Sequence, residues 1–385
     1  MSRKRRAPLQ PSTVLLRCLF LLAIVSSLAA GIAGGLLRAG VALPEHLSGA
    51  WVGQAIVAHA FLMICAFMGT VIGIERAVAV RKPFAFAAPA MSAAAGPLVL
   101  SGFPAAAAGL AAFAGVVFVA VNVLVVMRQR APHTILLLAA AMAWLVGNLL
   151  FAGSARPDAI IPWWFSFMVL TIAAERLEMT RLMRRRPGAS QVLHAVLGAM
   201  LLASAVCALS PRWGGVLFGA SLLCLAAWLL CFDIARRTIR AHGLSRYMAW
   251  CLLLGYFWLA VAGAAWLATS IGLPFRDAAF HALALGFVFS MMLGHAPVIL
   301  PALARVKLVF GWAFYVPLAL LHGSLVIRLL WGHLDFTLLA AGAAGNALSI
   351  LVFAATVAGS AAAWRVKHST KHSTAPSYHD ATVRH

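Results

Sequence analysis

The chain is a succession of apolar runs of about 20 residues, separated by short segments in which the charges collect. A run of that length crosses a hydrocarbon core of roughly 30 Å as an α-helix, and a helix satisfies its own backbone polar groups in lipid. Transmembrane β-strands would instead alternate over segments of about ten residues, a pattern that is absent. With 63% hydrophobic and only 10% charged residues, the expected fold class is an all-α membrane protein, a bundle of about 12 transmembrane helices.

The runs cover Thr13–Leu37 (span 1), Ala50–Ile74 (span 2), Phe84–Phe103 (span 3), Ala105–Met127 (span 4), Thr134–Phe151 (span 5) and Ala159–Glu178 (span 6). They continue with Gln191–Leu209 (span 7), Gly214–Ile234 (span 8), Tyr247–Ser270 (span 9), Asp277–Leu300 (span 10), Leu308–Trp331 (span 11) and Phe336–Trp364 (span 12). This organisation gives a basic tail at 1–12, a transmembrane domain at 13–364, and a Ser/Thr/His-rich tail at 365–385 expected to be disordered. Ser27-Leu28-Ala29-Ala30 has the look of a leader cleavage region, but the length of the run and the spans that follow favour an uncleaved first span.

The net charge of +21 would suggest nucleic acid as a partner in a soluble protein. Here the basic residues fall in alternate segments, as membrane topology demands. Arg3 to Arg6, Arg76-Arg81-Lys82, Arg128-Arg130, Arg181 with Arg184 to Arg186, Arg236 to Arg246, and Arg305-Lys307 fall on one side, with the C-terminal tail. Arg38, Arg156, Arg212, Arg276 and Arg328 stand singly on the other. The rule places both termini in the cytoplasm of a bacterial inner membrane, with the lipid bilayer as partner and no nucleic acid. The crowded side is called inner below, and the sparse side outer. Spans 2 and 6 end in Glu75-Arg76 and Glu175-Arg176, and spans 2 and 10 share a His-Ala dipeptide, which allows a three-fold pseudo-repeat of four-helix units.

Histidine inside a span is costly and marks function by default. At about 1.5 Å of rise per residue, His59 and His322 lie about 13 Å below the outer edge and His281 about 6 Å below it. His295 lies fourteen residues beyond His281 on nearly the same face of an ideal helix, level with Glu75, Glu175, Glu178 and His194. Pro297 and Pro301 lead us to expect an irregular helix end there. His46, His133, His242 and His333 read as solvated, and the Glu-Arg dipeptides as ion pairs at the inner face. The six cysteines lie in apolar runs without a CxxC and read as small buried residues.

Imidazole is the commonest metal ligand and an axial ligand of haem iron. His59 with Ala55, Ala58 and Ala60, and His281 with Ala278, Ala279, Ala282 and Gly286, offer paired ligands flanked by small residues. Arg276, Arg328 and Arg38 are the outer cations available to haem propionates. The expected metal-site set is His59, His281, His322 and His295, with haem of b-type, since no CxxCH is present.

His59-Ala60-Phe61-Leu62-Met63 through Gly69, and Phe280-His281-Ala282-Leu283-Ala284-Leu285-Gly286 through Gly294-His295, resemble the NnrS family. Its members are polytopic bacterial proteins associated with haem, copper and nitric oxide stress. More distantly, histidines on spans 2 and 10 are similar to the axial haem pair of the haem–copper oxidase catalytic subunit. The resemblance implies that His59 and His281 are haem ligands, and that His295 and His322 are candidates for a second haem or a copper. It implies a role in nitric oxide response, redox chemistry or metal handling, with nitric oxide or an electron donor as partner. The chain departs from the oxidase pattern, having no His-His pair, no His-x-His on span 10 and no His on span 6. The alternative from the residues alone is a transporter of a small solute or metal without haem, or a scaffold in which the histidines only pack.

Overall fold

The structure, a computed structural model, describes residues 11–373 except 43, 45–48, 181–186 and 305, with side chains over 18–301 and 306–367 within those limits. Among the described residues, twelve helices are long and apolar enough to cross a membrane. They are Cys18–Arg38, His59–Val80, Pro83–Leu100, Pro104–Arg128, Pro132–Ala152 and Pro157–Met179, then Ala189–Leu209, Pro211–Phe232, Gly243–Ser270, Arg276–Pro301, Trp312–Trp331 and Phe336–Lys367. The twelve apolar runs of the sequence map onto them one for one, and the span numbers are kept. The protein is thus an all-α, multi-pass membrane bundle, and an even number of crossings returns the chain to the side on which it began. Arg3 to Arg6, His46, Arg181, Arg184 to Arg186, Arg305, His379 and His385 lie outside the described residues, and His368 and His372 outside the described side chains.

Helix starts follow local chemistry. Pro104, Pro132, Pro157 and Pro211 open spans 4, 5, 6 and 8, where a missing N–H costs nothing and the fixed φ suits the first turn. The last helix runs Phe336–Ser373, so 365–373 is helical, contrary to the expectation of a disordered tail from 365. Nothing between Trp364 and Ser373 is a glycine or proline that would stop it.

Close packing rests on small residues. A Cβ at Gly219 would stand 2.8 Å from the Gly263 carbonyl oxygen, and one at Gly263 the same distance from the Gly219 carbonyl oxygen. Spans 8 and 9 therefore touch backbone to backbone, which is how membrane helices gain dispersion energy without a hydrophobic drive. Span 6 is the central helix, with Trp164, Phe165, Phe167 and Leu170 all buried in one continuous apolar core.

Irregularity sits where the sequence did not announce it. The helix Ser290–Ala304 continues through Pro297 and Pro301. Among the described residues, the departures from α-geometry within the spans include three π-helical stretches, at Leu62–Met68, Ala282–Phe289 and Ile327–Trp331. A π-turn bonds i to i+5, widens the helix and is frequent at functional sites. Side-chain hydroxyls take up backbone acceptors in the first of them: Ser92 donates to the Cys65 carbonyl, and Thr70 to the Ala66 carbonyl at 2.6 Å. Replacing Ser92 by alanine is expected to leave a buried acceptor unpaired at a cost of about 1–3 kcal/mol, read as a lower thermal midpoint in detergent.

Candidate metal centre

All three π-helical stretches border one place. The first follows the short turn His59–Phe61, the second follows His281 directly, and the third contains Arg328. The rings of His59 and His281 are nearly parallel, with centroids 6.3 Å apart and planes at 29°.

Each ring has one nitrogen committed. His59 Nδ1 donates to the Gly31 carbonyl at 2.7 Å. That contact needs span 1 to come very near, and a Cβ at Gly35 would meet His59 Cε1 at 2.7 Å. His281 Nδ1 donates to Asp277, whose carboxylate Oδ1 lies at 2.9 Å and carbonyl oxygen at 3.0 Å. An N–H given to a carbonyl or carboxylate fixes the tautomer and leaves Nε2 with its lone pair free, the arrangement that metal-ligating histidines adopt. Arg328, which can only donate, confirms the tautomer at His281: its Nη2 lies 3.1 Å from Nε2. Arg328 is itself held by Asp277 in a two-point pair at 2.8 and 2.9 Å.

Two cavities meet at this pair. The outer one holds about 760 Å³ and is lined by Arg38, Gln54, Trp164, Arg276 and Asp277 as well as His59, His281 and Arg328. The inner one holds about 130 Å³, with Ile32, Met63, Phe165, Leu285 and Ile350 as apolar walls beside the same three residues. One polar group joins them there, Asn346, which is buried and has no partner for its Oδ1 among the described residues. Arg38, Arg276 and Arg328 against the single carboxylate of Asp277 give the outer cavity a positive rim. Arg276 and Arg328 are already paired, Arg276 with Asp158 at 3.3 Å on the half-exposed surface.

The structure does not bring His322 or His295 to this pair. The sequence reading put His322 at the same depth, but depth does not fix which face a residue takes. Trp258 Nε1 donates to His322 Nδ1 at 2.8 Å, and its other nitrogen faces Ser290 Oγ at 3.4 Å, so both ring nitrogens are engaged. His295 belongs to an inner cluster, as expected: its Nδ1 donates to the Met291 carbonyl at 2.7 Å, and Glu75, Arg176 and Asp233 are its charged surroundings. Its Nε2 is buried with no partner among the described residues. There Arg76 pairs with Glu75 at 2.7 Å and Glu175 at 3.4 Å, while Arg176 pairs with Asp233. Glu178 and His194 are exposed instead, and His133, expected to be solvated, is buried. Among the described residues, no three His, Cys, Asp or Glu side chains form a set able to hold a metal ion.

Asp277, Asn346 and Asp233 were not singled out from the sequence. Asp277 carried a readable signal, since it lies four residues before His281 on one helix face. Asn346 and Asp233 carried only their polarity within or beside apolar runs. No curated protein and no solved structure matches the chain. A family model described as a domain of unknown function, DUF8744, matches residues 17–362, which is nearly the whole membrane domain, and the chain belongs to that family.

Proposed function

We propose that the protein binds haem, with His59 and His281 as the residues that would hold its iron, and has a role of the NnrS type in nitric oxide response or related redox and metal handling. The observation that carries this reading is the imidazole pair itself. Metal–imidazole bonds of about 2 Å on each side would put two ligand rings on the order of 6 Å apart, centroid to centroid, and the observed separation is 6.3 Å. Two protein donors suffice for an iron whose other four ligands come from a macrocycle, whereas a copper would want a third.

The cavities suit the amphipathic shape of haem. Its apolar edge fits walls such as Ile32, Met63 and Phe165, and its carboxylates fit the rim with Arg38, Arg276 and Arg328. Bound haem would supply one-electron chemistry. The chain's own part is to hold the Nδ1 protons at Gly31 and Asp277, keep both Nε2 atoms unprotonated, and line the apolar edge against water. Arg328 donates to His281 Nε2 and would have to move aside for that nitrogen to hold a haem iron.

The test is the visible absorption spectrum of protein purified from cells supplied with haem. A Soret band with one haem per chain is expected, and a colourless protein under those conditions overturns the reading. His322→Leu is expected to keep the spectrum unchanged, because both nitrogens of that ring serve Trp258 and Ser290. A lost or shifted band in that variant would put His322 back among the ligands.

A further inference from the structure

Away from the histidine pair, spans 1, 2, 10 and 12 leave a groove of about 580 Å³ between them. Its walls include Leu28, Phe67, Phe289, Met292, Phe353 and Val357, and every side chain along it is apolar until Arg365 at one end. Arg365 is exposed and forms no ion pair among the described residues. Lys307, next in the chain to the lining residue Val306, holds Nζ 5.0 Å over the ring of Trp364, the neighbour of Arg365. Ser360 donates to the Val309 carbonyl at 2.8 Å and ties that stretch of chain alongside span 12. The groove thus ends at a guanidinium, with an ammonium and an indole on the residues adjoining its lining.

We propose that this groove binds one anionic phospholipid, with an acyl chain along the apolar walls and the phosphate held by Arg365 and Lys307. The chain of a lipid satisfies the walls, and its phosphate is the charge selected by two cations that have no carboxylate partner among the described residues and stand beside an interfacial tryptophan. A guanidinium adds two-point geometry for phosphate oxygens. An isoprenoid quinone would fill the same walls but has no charge for the mouth. The charge asymmetry of the loops puts this end at the inner face, the leaflet in which anionic lipids set a negative surface potential. Ile350 lines both this groove and the apolar cavity beside His59 and His281. The tip of the acyl chain therefore closes that cavity towards the bilayer. The lipid site stands on its own residues and does not require that haem be bound.

The experiment is native mass spectrometry of the full chain after detergent exchange, with phosphatidylglycerol and phosphatidylcholine offered in equal amount. The wild type is expected to retain one phosphatidylglycerol. Arg365→Gln with Lys307→Gln, a surface change that spares the fold, is expected to weaken retention about 10- to 30-fold, roughly the worth of two surface cations, and to erase the headgroup preference. Ala358→Trp, which fills the groove, is expected to abolish retention of either lipid at unchanged helix content. A wild type that retains no lipid, one that retains only a quinone, or retention unchanged in the double glutamine variant overturns the proposal.

Discussion

His281→Ala is expected to remove the haem absorption band from protein expressed with haem supply, and His59→Ala to do the same. Under the proposed function each ring would supply one of the two protein donors to the haem iron. Neither has a substitute within reach, because His322 is engaged with Trp258 and His295 lies in the inner cluster. A milder variant separates ligation from folding. Asp277→Asn keeps the carbonyl contact to His281 Nδ1 but weakens the carboxylate that orients the ring and anchors Arg328. Loss of such a supporting group costs about 10- to 100-fold in metal affinity, measurable by haem titration of the apoprotein. Size-exclusion behaviour and helix content identify variants that fail to fold. A full-strength, unshifted band in both alanine variants would exclude the pair as ligands.

The second large effect lies at the opposite end of the bundle. Arg176 and Asp233 form a two-point pair at 2.9 Å, with side chains only 3% and 2% exposed. Asp233→Ala strands a guanidinium that cannot discharge, and breaking a buried pair from one side costs about 3–5 kcal/mol. Asp233 also accepts from the Ala235 backbone N–H at 2.8 Å, so the turn after span 8 loses its anchor as well. Removing both charges, as in Arg176→Met with Asp233→Leu, is expected to be neutral or to stabilise by about 1–4 kcal/mol, since neither charge then pays for desolvation. Denaturation in detergent checks both values. A single variant as stable as the wild type would show that water reaches the pair.

The bundle was legible in the sequence because lipid imposes one length and one periodicity on every span, and loop charge marks which ends share a side. The histidine pair was legible for a different reason: an imidazole in an apolar run has few inexpensive explanations. What stayed hidden was azimuth. Depth follows from counting residues, but the face a side chain takes depends on every turn before it. Thus His322, at the right depth by arithmetic, points to Trp258, while Arg328, read only as a free cation, sits on His281 and Asp277. The prolines misdirected the search for irregular backbone, since a helix ending in solvent and one passing Pro297 within a bundle look alike as text. The π-turns have no proline to announce them, and their freed acceptors are met by hydroxyls such as Ser92, distant in sequence.

Those widened turns have a consequence for how the chain tolerates change in length. A π-turn accommodates one more residue than an α-turn in the same rise, so each stretch behaves as a one-residue insertion absorbed within a span. Deleting a residue between Ala282 and Phe289 would let span 10 close into regular α-helix while still long enough to cross the membrane. The parts carrying His281 and His295 would then keep their relative facing, because the widened turn had already absorbed the extra residue. Length polymorphism in these stretches is therefore buffered: a single-codon loss there would leave an inserted, helical protein with His281 still facing His59, whereas a loss in the regular helix between Ser290 and His295 would turn His281 by about 100° relative to His295.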